Sequence, residues 1–272
     1  MELKEYQKRV LKAVEGYLKA LAANEASVAA MKALPPELAK LADGLDAPKM
    51  AWKTAGLEED KYKSKKDGLG NSLPHFCLKI PTGGGKTLLA IETIGSAVDH
   101  WRKSSKGLIV WFVPTNQIYR QTLAALQDKS HPYRQRLDNI SGDKTMIVEK
   151  SNGLSQGELD DNLVILLLML PSANRKAKET LKMFQDSGAY TGIFPEDDNY
   201  IEHKKLSEAI PNLDVVGDAE DLFGRVVVKS SLGNIIRLLR PMAIVDEGQK
   251  TYSAGAQATL QGLNPIGYGP TL

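Results

Sequence analysis

The chain has 272 residues, enough for one large domain or two small ones. Its 42% hydrophobic and 25% charged residues exclude a disordered or fibrous chain. The 35 basic and 33 acidic side chains leave a net charge of +2, so bulk charge marks no nucleic-acid binder, although a local basic face stays open.

Residues 2 to about 23 read as a helix, because Leu3, Tyr6, Val10, Leu11, Val14, Tyr17, Leu18 and Leu21 recur at helical spacing. Residues 24–75 are interrupted by Pro35-Pro36, Pro48 and several glycines. Within them Lys61 to Gly70 reads as an exposed basic loop, which is an ordinary solvated surface unless it meets nucleic acid. From Phe76 the pattern changes. Apolar strands are expected at Phe76–Ile80, Leu108–Val113, Met146–Val148, Val164–Leu170, Val226–Lys229 and Ala243–Val245. Between them helices are expected at 87–101, Asn116–Gln127, Asn174–Phe184 and Ile235–Leu239. Such alternation predicts an α/β fold whose mostly parallel sheet carries helices on both faces. Residues 188–222, rich in Gly, Pro, Asp and Asn, read as an insertion. The longest apolar run, Leu163 to Pro171, is far below the roughly 20 residues of a membrane-spanning helix. The charged N-terminus lacks a signal-peptide core, so the expected compartment is the cytoplasm.

The most informative stretch is Ile80-Pro81-Thr82-Gly83-Gly84-Gly85-Lys86-Thr87. It follows a strand and opens a helix, the context of a P-loop. Glycines let successive N–H groups approach phosphate oxygens with no Cβ in the way. The helix adds its positive end. Lys86 reaches the β- and γ-phosphates and the Thr87 hydroxyl ligates Mg²⁺, so Thr82, Gly83, Gly84, Gly85, Lys86 and Thr87 form the expected ATP cradle. The strict pattern has glycine where Ile80 stands. The second half of such a site is a carboxylate closing another buried strand. Ala243-Ile244-Val245-Asp246-Glu247 supplies it, with Asp246 on the metal and Glu247 polarising the attacking water.

Asp246-Glu247-Gly248-Gln249 resembles the acidic box of superfamily-two helicases, and Val113-Pro114-Thr115-Asn116-Gln117 with Gln121 resembles their motif Ia. Leu3-Lys4-Glu5-Tyr6-Gln7 resembles the segment with an adenine-reading glutamine. The region Cys77 to Thr87, together with Trp111 to Pro114, His131 to Gln135 and Asp246 to Lys250, is similar to the ATPase–restriction subunits of Type III restriction–modification enzymes. The resemblance runs from residue 1 to about 265 and implies a RecA-like motor domain working on DNA with ATP and Mg²⁺. It implies adenine contact by Gln7 and DNA-backbone contact by Pro114, Thr115 and Gln121. Ser172 is either a further backbone contact or an ordinary helix cap. The expected division is a helical extension at 1–75 and an ATP-binding domain at 76–272.

A superfamily-two motor closes ATP between two RecA-like domains, and the second supplies an arginine finger worth roughly 10³–10⁵ in rate. The residues after Glu247 are too few for that domain, so a truncated motor is expected, binding ATP far better than it hydrolyses it. A partner chain carrying the second domain, or a methyltransferase subunit, would complete it. No Ser/Thr-Ala-Thr motif III follows Asn264-Pro265, and Ile266 to Leu272 has the glycine and proline content of a loop. A sheet lacking that strand would carry unpaired edges.

Other chemistry is thin. The single cysteine, Cys77, excludes a disulfide framework and a cysteine-based zinc site, and reads as a small core residue. His75, His100, His131 and His203 show no metal spacing, and Glu196-Asp197-Asp198-Asn199 reads as a solvated turn. The expected activity is that of a helicase- or translocase-type ATP hydrolase. The alternatives are a non-enzymatic ATP/DNA-binding module acting with a partner, and a P-loop small-molecule kinase.

Overall fold

A computed structural model describes residues 3–81, 83–150, 152–169, 183, 189–217, 225–246 and 254–271. Its helices are α1 (Glu5–Lys32), α2 (Pro36–Ala39), α3 (Ala47–Thr54), α4 (Lys86–Ala97), α5 (Asn116–Gln127), α6 (Pro132–Ser141), α7 (Gln156–Asp161), α8 (Tyr200–Ala209), α9 (Leu232–Leu239) and α10 (Ala254–Gly262). Its strands are β1 (His75–Cys77), β2 (Gly107–Val113), β3 (Thr145–Glu149), β4 (Leu154–Ser155), β5 (Leu163–Met169), β6 (Tyr190–Thr191), β7 (Val215–Val216), β8 (Val227–Val228), β9 (Met242–Val245) and β10 (Gly267–Thr271).

Six strands form one parallel sheet in the order β1-β10-β9-β2-β5-β3, as expected for a RecA-like α/β fold. Alternate residues of each strand point to opposite faces. Ile109, Trp111, Val113, Ile165 and Leu167 therefore meet α1, α4, α5 and α6 on one face. Leu108, Val110, Phe112, Val164 and Leu166 meet α7, α9 and α10 on the other. With both faces covered, β2 and β5 read as unbroken apolar runs, and each buried aliphatic side chain contributes about 1.5–3 kcal/mol.

The N-terminal helix α1 is longer than its periodicity predicts, ending at Lys32. Its Val14, Tyr17, Leu18 and Leu21, with Ala51 of α3, lie in the same core as Ile91, Ile109 and Trp111. Asp67 ties residues 61–73 down. Its Oδ1 accepts from the backbone N–H groups of Leu69 and Asn71, and Arg240 Nη2 donates to its Oδ2 at 2.8 Å. Thus residues before β1 build onto the sheet.

Two expectations are corrected. The chain at Ile266–Leu272 is not a loop: Gly267–Thr271 is strand β10, inserted between β1 and β9. Its glycines are required by crowding. A Cβ on Gly267 would meet Trp101 Cη2 at 2.7 Å, and one on Gly269 would meet Phe76 Cζ at 2.7 Å. Glycine in a strand here marks close approach of neighbouring groups. Cys77 is not a core residue but exposed, because β1 ends there and Leu78 to Pro81 leave the ladder as an irregular segment. Helices α6, α7, α8 and α10 are additional to the expected elements. The helix at Asn174–Phe184 lies outside the described residues, Met183 excepted. The expected helix at 87–101 is α4 followed by a wider π turn at Val98–Arg102.

Candidate functional site

All six strands are parallel, so their carboxyl ends share one edge, where ligands bind in open α/β sheets. The P-loop follows β1, Pro114 and Thr115 follow β2, and Asp246 follows β9. Only β10 separates β1 from β9.

The three glycines of the P-loop are needed for different reasons. Gly83 and Gly85 have φ of 76° and 81°, the left-handed region that costs side chains roughly 1–2 kcal/mol. Gly84 has no room for a side chain: a Cβ would stand 2.5 Å from Ile80 Cγ2 and 2.8 Å from the Pro81 carbonyl. Gly84 N–H closes a turn onto that same carbonyl at 2.9 Å. Gly85 is the residue before α4, so Lys86 and Thr87 stand on the first turn of the helix, half-buried.

Helix α1 holds this loop from the side. Gln7 is 5% exposed. Its Nε2 donates to the Gly84 carbonyl at 2.9 Å, and its Oε1 accepts from Lys4 N at 2.9 Å, as a glutamine at the third helical position does when it caps its own helix. The Tyr6 hydroxyl donates to the same Gly84 carbonyl at 2.7 Å. A Cβ on Gly85 would lie 2.6 Å from Gln7 Nε2, so glutamine and loop fit without slack. By periodicity Tyr6 reads only as an apolar position of the helix. Its one signal in the sequence is its place beside Gln7.

Asp246 is buried, 6% exposed, and its backbone N–H donates to the Phe112 carbonyl at 2.8 Å, extending the β9–β2 ladder. The Thr87 hydroxyl and the Asp246 carboxylate are hard oxygen donors of the kind Mg²⁺ takes, and such ions sit on one or two carboxylates plus substrate phosphates. The glycine cradle leaves backbone where a phosphate chain needs it, so the residues fit Mg-ATP. Thr82, Glu247 and Ser172 lie outside the described residues.

Pro114 and Thr115 are half-buried at the sheet edge, and Thr115 Oγ1 accepts from Ile118 N at 3.3 Å, capping α5. Gln121 is exposed farther along that helix. The histidines are apart. His203 is buried and accepts at Nδ1 from Val228 N, His131 caps α6 at Tyr133 N, and His100 lies 3.5 Å from Glu15. His75 donates from Nδ1 to the Leu73 carbonyl at 3.1 Å, and burial pushes its pKa down to about 4. Glu196, Asp197 and Asp198 are exposed, and Asn199 accepts from Glu202 N as the cap of α8.

A RecA-like sheet with a P-loop after its first strand and a buried aspartate after the strand next but one to it defines a helicase-type ATPase domain. The sequence matches the family described as Type III restriction enzyme, res subunit, over residues 1–194, and the chain belongs to that family. The match includes Gln7 and the P-loop, while Asp246 lies beyond it. A comparison with curated proteins gives no match. Among the described residues, no helix is long and apolar enough to cross a membrane.

Proposed function

We propose that the chain is the ATP-binding N-terminal motor domain of a DNA helicase or translocase of the Type III restriction kind. The observation that carries this reading is the P-loop itself. Two glycines are held at positive φ and a third is packed too tightly for a Cβ, and the loop carbonyl is pinned by Gln7 and Tyr6. A loop fixed before ligand arrives loses little entropy on binding.

Gly83 to Lys86 hold the phosphates through backbone N–H groups and the Lys86 ammonium. Thr87 and Asp246 hold the metal, which when bound neutralises charge on the β- and γ-phosphates. Gln7 keeps one amide hydrogen and one oxygen lone pair beyond its two bonds, and family resemblance gives these to adenine. The same resemblance gives Thr82 to the phosphates and Glu247 to the attacking water. Pro114, Thr115, Gln121 and Ser172 meet the DNA backbone, a contact that positions the strand without reading its sequence. One RecA-like domain carries half of such an ATP site. A second domain, on the same polypeptide or a partner, supplies the arginine finger, so these 272 residues bind ATP far better than they hydrolyse it.

The test is Mg-ATP binding by calorimetry to the chain and to Lys86→Ala, followed by phosphate release with and without DNA. The expected result is binding that Lys86→Ala abolishes, with little turnover until the second domain is added. Absence of Lys86-dependent binding overturns the reading. Brisk DNA-stimulated turnover by the chain alone overturns the half-site part of it.

A further inference from the structure

Along β1, from His75 at its start to Lys79 ahead of the P-loop, lies a cavity of about 690 Å³. It is lined neither by Gln7 nor by any residue from Gly83 to Thr87. It is bounded by the basic segment 61–65, by His75 and Cys77 of β1, by Tyr268 near the start of β10 and by Gln257 and Leu260 of α10, and Lys63, Lys65 and Lys79 all line it. Lys61 and Asp60 also line it and offset each other, and Lys61 is paired with Glu58 at 2.5 Å. Lys63, Lys65 and Lys79 enter no ion pair among the described residues.

The remaining wall is aromatic. Trp52, Tyr62, His75 and Tyr268 follow one another with ring centroids 5.8, 6.1 and 5.4 Å apart. Lys65 Nζ lies 4.8 Å from the Tyr268 ring centroid. Cations beside a row of rings are what a phosphate and a flat base require together, and base–aromatic stacking is indifferent to base identity. The volume falls within the roughly 300–1,000 Å³ of small-molecule sites. Burial, and then the charge of Lys63, hold the Lys65 pKa below its ordinary value. A bound anion would relieve the repulsion.

We propose that this cavity is a second nucleotide-unit site, separate from the P-loop, which takes one base with its phosphate from single-stranded DNA or a free mononucleotide. The single-strand source rests on the motor reading above, whereas the nucleotide chemistry does not. Val245, the residue before Asp246, lines the cavity.

The experiment uses the full chain carrying Lys86→Ala, so that the P-loop does not compete. Fluorescence anisotropy follows a labelled oligothymidylate, with thymidine monophosphate and an abasic oligonucleotide as competitors. Lys63→Ala with Lys65→Ala should weaken binding at least about tenfold. The same pair should flatten the salt dependence by about 0.7 in log–log slope, the value for the single phosphate that the two lysines share. Lys63→Arg with Lys65→Arg should retain binding. Binding of the oligonucleotide in preference to the monophosphate assigns the site to single strands, and the reverse order assigns it to free nucleotides. Oligonucleotide and monophosphate both failing to bind, an unchanged affinity in the alanine pair, or equal competition by the abasic strand overturns the proposal. If the alanine pair does not fold, photocrosslinking of a bromodeoxyuridine strand to the chain with Lys63 and Lys65 intact decides it. Adducts on Trp52, Tyr62, His75 or Tyr268 support the site, and adducts confined elsewhere overturn it. Lys86-dependent ATP binding, measured in chains carrying the Lys63 and Lys65 changes with Lys86 restored, separates this proposal from the motor reading.

Discussion

Gln7 Nε2 donates to the Gly84 carbonyl at 2.9 Å across 77 positions of sequence, so the first turn of α1 and the phosphate loop are one unit. Removing that bond in Gln7→Ala leaves the Gly84 carbonyl with Tyr6 and deprives Lys4 N of its acceptor. One such bond is worth about 1 kcal/mol net, so Mg-ATP affinity should fall about five- to tenfold in a calorimetric titration. Gln7→Glu should be worse at neutral pH, since a carboxylate sets acceptor against acceptor at Gly84. Equal affinity in all three chains would mean that the loop keeps its shape without α1.

Space, not backbone angle, makes Gly84 irreplaceable. Gly84→Ala drives a Cβ against Ile80 Cγ2 and the Pro81 carbonyl, and the latter is backbone that cannot swing away. We expect loss of Mg-ATP binding with the sheet intact, so thermal melting should drop only a few degrees while binding disappears. Retained binding would show that the loop accommodates the methyl.

Acid should destabilise the domain through His75. Its folded pKa, about 4, lies below the ordinary 6.5 because burial disfavours the imidazolium. Between these values the unfolded chain binds more protons, so the stability His75 confers is present above about pH 6.5 and is lost as pH falls toward 4. In urea unfolding at about pH 7 and about pH 5, His75→Gln should lose less stability on acidification than the parent chain. An identical pH dependence in both chains would place the acid sensitivity elsewhere.

Substitutions separate the observed cap at Thr115 from its proposed DNA contact. Its hydroxyl caps α5 at Ile118 N, and Thr115→Ala should cost about 1 kcal/mol of stability. Thr115→Ser keeps the cap and the hydroxyl. If Thr115 also meets a DNA phosphate, the alanine form should bind DNA several-fold more weakly than the serine form at temperatures where both are folded. Equal DNA affinity of the two would leave Thr115 a cap only.

Reading along the chain finds what is written within a few residues. The apolar run Leu108–Val113 and the alternation of helix and strand are local, and the structure returns them as β2 within an α/β sheet. The end of the chain misleads for the opposite reason. Gly267, Gly269 and Pro270 lower local strand propensity, yet β1 and β9 present two open edges that this segment pairs with, and Phe76 and Trp101 leave no space for larger side chains. Cys77 follows the same logic in reverse. It looks like a strand interior locally, but the ladder stops there.

The sequence by itself determined the phosphate loop and the aspartate that ends a buried strand, because glycine freedom, a lysine at a helix start and an apolar run before a carboxylate act through neighbouring atoms. Tertiary structure alone decided that Gln7 and Tyr6 grip Gly84, that β10 lies between β1 and β9, and that Lys63, Lys65 and Lys79 line one cavity with four rings. Each of these joins segments far apart in the chain. Their meeting is set by the register of a parallel sheet and the packing of α1 and α3 on it, which no local pattern of residues encodes.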